Sequence, residues 1–366
     1  MRAGNIKLAA LALEKQLQYH PEKSGYLIFG SEGYRAACRM DAQEAPIMLG
    51  DIIMKEKEQE KYLRDILNSK GLSASVEATI KEREAKTVGA IYELRALTED
   101  FRMQAVGGCQ SAINMYETCI IPSLLSNAGT WVEMDEAAFN KLDDLQDTFG
   151  RAVLSLPLSA PLASLRAALG LPGMKWRVWE QKILLIQAIR QQEEGGLASE
   201  VLKEQVQMGW PGLAQEVKQI CQDIQLPDAT KSNISKEDIK KAIKYDHLKA
   251  LKLQLTGRKL KLMANSDIRE RREYTSWSLL ECRMAYRLET QMFLCRANMP
   301  SMYGRDLTCR ACTPGAADGA VGPEEDQDHL EVCPGYASLW AGLGPMTIQS
   351  RVNFFMRVDK RRRQGL

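Results

Sequence analysis

Four residues near the C-terminus have the types and spacing of a metal site. Cys309 and Cys312 form a C-x2-C pair, and His329 and Cys333 follow as H-x3-C after sixteen intervening residues. Three thiolates and one imidazole make a closed tetrahedral shell, the arrangement of structural zinc. Each short spacing lets a pair chelate from one turn or one helix end, and the Gly- and Pro-containing loop between them lets the pairs meet. Soft sulfur ligands favour zinc over calcium or magnesium. No ligand position is left open, so the ion is expected to be structural and not hydrolytic. The chain has nine cysteines but only three histidines, so chance rarely places a His and a Cys at chelating distance from a C-x2-C pair. His20 and His247 have no such company, and His247 falls on an apolar helical stripe.

A second group of residues suits phosphate chemistry. Between Lys231 and Lys261 there are ten cations: Lys231, Lys236, Lys240, Lys241, Lys244, Lys249, Lys252, Arg258, Lys259 and Lys261. Three acids, Glu237, Asp238 and Asp246, oppose them. The whole chain carries only +2, so any pull on nucleic acid must come from such a patch. The residues from Lys240 to Lys261 are the candidate phosphate contacts, against the plainer reading of a solvated helix face. Arg269, Arg271, Arg272, Tyr274 and Trp277 lie downstream and could clamp or stack on a strand. Asp143-Asp144 is the chain's adjacent aspartate pair. It sits inside an amphipathic helical pattern, whereas a polymerase metal site needs aspartates on a turn between strands. No phosphate-binding glycine loop, serine-hydrolase elbow or H-E-x-x-H motif occurs.

The elements that must position these groups are mainly helical. Up to about residue 70 the pattern is mixed. A helical stretch over Asn5–Tyr19 ends at Pro21, Tyr26–Phe29 reads as a buried strand, and apolar Ile47–Leu49 and Ile52–Met54 flank the turn-prone Gly50-Asp51. Lys61–Leu67 forms another short element. Helix dominates from Ser73, with Ser75 a possible cap. Helical stripes follow at Ile80, Thr87, Ile91 and Leu94; at Phe139, Leu142, Leu145, Phe149 and Ala152; at Trp176, Trp179, Ile183, Ile186 and Ile189; and at Ile239, Ile243, His247 and Leu251. Their spacing reads as core faces. The segment Thr313–Asp328 is small and acidic, and the chain ends in a basic tail, Lys360–Arg363. The scattered, odd-numbered cysteines favour reduced thiols and an intracellular setting, nuclear or cytoplasmic. No apolar run suits a membrane span or a signal peptide.

With these segments in order, the chain resembles the C-terminal part of non-LTR (LINE-type) retrotransposon reverse transcriptases. Leu17–Gly30, with Lys23-Ser24 before Tyr26–Gly30, is similar to the palm just after its metal-binding aspartate turn. Lys61-Tyr62-Leu63-Arg64 looks like the family's Tyr-Leu-Gly element, and Leu142–Phe149 lies in a thumb-like region. Cys309–Cys333, with Asp328-His329-Leu330 and Cys333-Pro334-Gly335-Tyr336, resembles the C-terminal zinc knuckle. Arg64 stands where the family has glycine, and arginine would strain any positive φ there.

The resemblance implies a mainly α chain in four parts. These are a partial palm at 1–72 (a small α+β remnant), a thumb-like helical region at 73–228, a basic helical region at 229–300, and a zinc-knuckle module with basic tail at 301–366. It implies a truncated reverse transcriptase that begins downstream of the catalytic aspartates and is no enzyme by itself, with magnesium needed only in an intact relative. The expected partner is RNA or DNA, bound weakly and without sequence preference, and no membrane. Two alternatives stand beside it: a domesticated zinc-containing helical interaction protein, and a non-functional translation product of a decayed element.

Overall fold

The computed structural model describes residues 25–29, 32–44, 46–49, 52–102, 107–156, 160, 162–192, 196–255, 273–290, 309, 311–312, 323–324 and 326–364. The expected helix over Asn5–Tyr19, the pair Lys23-Ser24, the turn Gly50-Asp51 and the cations from Arg258 to Arg272 lie outside these residues. The described chain is mainly helical. Its contacts cluster into two units drawn from interleaved stretches. The first comprises 1–87, 123–143 and 177–240, and the second 88–122, 144–176 and 241–366.

Among the described residues of the first unit, strands come as short pairs. Strand β1 (Gly25–Tyr26) is followed by helix α1 (Glu32–Glu44), β2 (Met48–Leu49), β3 (Ile52–Ile53), β4 (Lys55–Glu56), β5 (Gln59–Tyr62) and β6 (Asp65–Asn68). β1 pairs with β4 in parallel, while β2–β3 and β5–β6 are antiparallel. Arg39 of α1 clasps the Glu56 carboxylate at 2.9 and 3.0 Å. The strand expected over Tyr26–Phe29 stops at Tyr26. Beyond it only Ile28 is buried, and Phe29 is exposed. Lys61–Leu67 is the body of the β5–β6 hairpin, with Tyr62 opposite Asp65. That leaves Leu63 and Arg64 as a two-residue turn, at φ 47° and 76°. Such turns suit Asn and Gly, and each other side chain forced to positive φ costs about 1 kcal/mol.

Tertiary contacts offset that strain. Helix α2 (Leu72–Arg102) covers the open edge of β6: Ile66 N donates to Thr79 Oγ1 and Asn68 N to Ser75 Oγ, both at 2.8 Å. Ser75 is therefore inside the helix and not its cap, since the helix starts three residues earlier. Arg83 is the central tie. Its guanidinium donates to Leu124 O and Ser126 O (2.8 Å each), to Arg64 O (2.9 Å) and to Asp65 Oδ1 (2.7 Å). It also lies 5.3 Å from the Trp131 ring centre. Asn127 Nδ2 donates to Leu63 O at 2.7 Å. Both strained residues are thus held by their carbonyls. Later helices complete the unit: α7 (Met174–Arg190) from Arg177 on, α8 (Leu197–Met208) and α9 (Leu213–Asp223). Buried Lys182 meets Glu216 at 2.5 Å. The buried face of α7 is Met174, Val178, Lys182, Ile183, Ile186 and Gln187. Trp176, Trp179 and Ile189, expected on that stripe, are half-buried.

The second unit is helical. Helix α3 (Gly108–Met115) runs through a π-turn at Tyr116–Ile120 into α4 (Ile121–Leu124), and Tyr116 stacks on Phe149 at 3.9 Å. Phe149 belongs to α5 (Glu136–Leu154), whose expected stripe from Phe139 to Ala152 is buried throughout. The stripes over Ile80–Leu94 and Ile239–Leu251 are buried too, with His247 edge-on to Trp176. Helix α6 (Leu162–Leu169) supplies Arg166, which grips fully buried Asp147 with two hydrogen bonds, and Ser164, 2.8 Å from Tyr286 Oη. Tyr286 lies on α11 (Leu279–Glu289), which follows α10 (Lys236–Gln254) and starts with a Ser278–Glu281 capping box. The chain closes with α12 (Gln327–Val332), a 3-10 segment Pro334–Trp340, and α13 (Ile348–Arg363). No helix among the described residues is long and apolar enough to cross a membrane.

Candidate metal centre and basic helices

The four residues singled out by spacing converge. Cys309 Sγ, Cys312 Sγ, a His329 ring nitrogen and Cys333 Sγ all lie within 4.8 Å of one another. Cys309 is held by its amide, which donates to Pro323 O at 2.9 Å, and Ala311–Cys312 make a turn. Helix α12 supplies the other pair. Asp326 caps it by accepting from His329 N at 2.6 Å, which places the histidine in the first turn, and Cys333 is the residue just past its end. Cys309 and Cys333 are buried, while Cys312 and His329 are half-buried.

The ligand atoms are gathered closely enough for one small ion to reach all four. Zinc bonds of about 2.0–2.3 Å give tetrahedral edges of about 3.5–3.8 Å. The Cys309 and Cys333 sulfurs, 3.7 Å apart, match such an edge, while Cys312 Sγ stands closer, 3.3 Å from His329 Nε2 and 3.1 Å from Cys333 Sγ, so a bound ion would spread it from both. Burial pushes the Cys333 thiol up to about 12, helped by Cys312 and Cys309, and burial raises Cys309 as well. Thiolates so close and so dry repel one another. A divalent cation reverses that balance by binding the deprotonated sulfurs. One close approach seals the module. A Cβ on Gly335 would lie 2.3 Å from Ala311 O, so the segment after Cys333 fits over the Cys309–Cys312 turn only as glycine.

The described lysines of the basic stretch are exposed. On α10, Lys241, Lys249 and Lys252 are exposed opposite buried Ile239, Ile243, His247 and Leu251, and exposed Lys236, Lys240 and Lys244 flank that buried stripe. Of the three acids of the stretch, Asp246 is turned away and Asp238 is held at the helix start, while exposed Glu237 stands one turn before Lys241. Glu237 and Asp238 occupy the first turn, where Ser235 Oγ accepts from Asp238 N, and Asp246 accepts from Trp176 Nε1 at 3.0 Å. Tyr245, 71% exposed, sits between Lys241 and Lys249 in one i, i+4, i+8 row. The sequence reading missed it, although that spacing was there to find. Arg258, Lys259 and Lys261 lie outside the described residues. Downstream, Trp277 is half-buried and its carbonyl accepts from Gly107 N. Asp144 is exposed and Asp143 half-buried in mid-helix, as expected of helix surface.

No family model matches the chain, and neither the curated proteins nor the solved structures include a match.

Proposed function

We propose that this chain is a nucleic-acid-binding segment of LINE reverse-transcriptase origin, which does not polymerise by itself. The observation that supports binding is the α10 surface: five exposed lysines from Lys240 to Lys252 and one exposed tyrosine, with the Asp246 carboxylate taken by Trp176 and that of Asp238 by Ser235. Such a surface attracts phosphates of any sequence and offers a ring for stacking. The Cys3His group is proposed to hold structural zinc, because three sulfurs and an imidazole leave no open position. Origin rests on the order of motifs along the sequence.

The test is binding of single-stranded RNA and DNA across a salt series. Four phosphate contacts give a log–log slope of about −3, at about −0.7 each. Changing Lys241, Lys244 and Lys249 to Gln flattens it by about 2. A salt-insensitive affinity sinks the reading.

A second reading, a helical interaction protein, draws on α8. Leu197, Val201 and Met208 lie along one side of that helix, exposed by 82%, 44% and 61%, with Trp210 just beyond. A row of exposed apolar groups suits a protein partner. Loss of self- or partner association in Val201→Asp, with RNA affinity intact, is what that reading requires.

A further inference from the structure

We propose that the outer side of α13, formed by Arg357, Lys360 and Arg363, is a second phosphate-contacting site for single-stranded nucleic acid, held in place by the metal module. It rests on the nucleic-acid reading above and adds a site with a different support.

The support can be followed contact by contact. Gly335 and Tyr336 come two and three residues after the ligand Cys333, and Gly335 is seated on Ala311, next to the ligand Cys312. Arg361 Nη1 donates to Gly335 O at 3.0 Å, and its guanidinium carbon lies 5.6 Å from the Tyr336 ring centre. Arg362 Nε donates to Tyr336 Oη at 3.4 Å, with its guanidinium 5.9 Å from the same ring. Two consecutive arginines therefore pin the last turns of α13 to the chain that carries the metal ligands. Stacking of Trp340 on Phe354 at 4.2 Å secures the helix further up.

With Arg361 and Arg362 facing the module, helical geometry turns Lys360 and Arg363 outward, and both are exposed. Arg357 joins them, its Nη1 fixed by Leu339 O and Ala341 O at 2.8 and 2.9 Å while the residue stays exposed. Asp359, paired with Arg363 at 2.8 Å, is the one acid of the helix, against six cations. Cations in a last turn also offset the negative end of a helix, but that effect fades within a turn and does not reach Arg357. The apolar residues Val352, Phe354, Phe355 and Val358 are all buried. The outer side thus pairs with a polyanion and has little to insert into lipid.

The experiment uses the full, metal-loaded chain with single-stranded RNA, single-stranded DNA and phosphatidylserine vesicles as probes. In Lys360→Gln/Arg363→Gln the salt slope should fall by about 1.4, a loss of about 25-fold at about 0.1 M salt. The charge-keeping pair Lys360→Arg/Arg363→Lys should retain wild-type binding, which separates charge from folding. Removing the metal with a chelator should produce the same flattening without touching either residue. A slope unchanged in the Gln pair but flattened by the α10 variant overturns this site and leaves the α10 reading standing. A Gln-pair effect that metal removal does not reproduce overturns the support by the module. Binding to vesicles without binding to either oligonucleotide overturns the choice of ligand. No binding to either oligonucleotide by the folded chain overturns both readings.

Discussion

Gly335 and the Leu63-Arg64 hairpin are constrained under opposite rules. At Gly335 the backbone comes so close to Ala311 that no Cβ fits, and the sequence supplies glycine. At Leu63-Arg64 the hairpin needs two positive φ angles, and the sequence supplies neither glycine nor asparagine. The first has a residue suited to it and stands beside four ligand side chains whose ligand atoms lie within 4.8 Å of one another. The second persists because distant groups hold it: Arg83 on the Arg64 carbonyl and the Asp65 carboxylate, and Asn127 on the Leu63 carbonyl. A locally fitted turn fails when its ligand or its glycine is lost. A turn held from outside fails when its clamp is lost, and improves when its own residues are changed.

Four variants sharpen that contrast, and the largest effect is expected from the metal ligands. Cys312→Ser should abolish stoichiometric zinc, read by elemental analysis of the purified chain. It should also speed hydrogen exchange over α12 and Pro334–Trp340, since structural zinc contributes about 10–16 kcal/mol of binding free energy to such modules. Full zinc content in that variant would falsify the ligand assignment. Arg83→Met comes next. It strips donors from three carbonyls and leaves the partly buried Asp65 carboxylate without its cation, at a cost of about 3–5 kcal/mol in denaturant unfolding. A cost under about 1 kcal/mol would mean the hairpin does not depend on the clamp. Gly335→Ala should weaken metal affinity and destabilise the module by about 1–3 kcal/mol, because the neighbour it meets is backbone and cannot swing away. Chelator competition checks this, and an unchanged affinity would show that the approach can relax. The smallest effect is a gain. Leu63→Asn with Arg64→Gly should stabilise the hairpin by about 1–2 kcal/mol, since both carbonyl contacts survive the change. A destabilised hairpin, by hydrogen exchange of Glu60 and Leu67, which face each other across it, would refute the claim of strain.

The metal group was legible in the sequence because its geometry is local: two short spacings and one helix end set it. Helical stripes were legible for the same reason, since a 3.6-residue period reports the buried face directly. Reading failed where burial was decided by distant partners. Asp147 looks like a third surface acid beside Asp143 and Asp144, yet it is fully buried against Arg166, nineteen residues on. Lys182 lies on an apolar stripe with nothing nearby to announce Glu216. Ser75 has the composition of a cap, but its hydroxyl instead accepts from Asn68 N and donates to Gly71 O. In each case the side chain was ambiguous and a tertiary contact chose its role.

The interleaving of the two units governs how this chain can be taken apart. No single cut leaves both whole. A cut after Lys240 keeps all three stretches of the first unit but separates 88–122 and 144–176 from 241–366, with which they form the second. A protease nick in any exposed loop therefore leaves at least one unit in two pieces, held together only by non-covalent contacts. Fragments carrying the metal ligands alone would lack the helices that bury Tyr286 and Arg283, whose partners Ser164 and Val153 lie more than a hundred residues upstream. Dissection by truncation is thus a poor way to assign activity to parts of this protein, and point substitution in the intact chain is the sounder one.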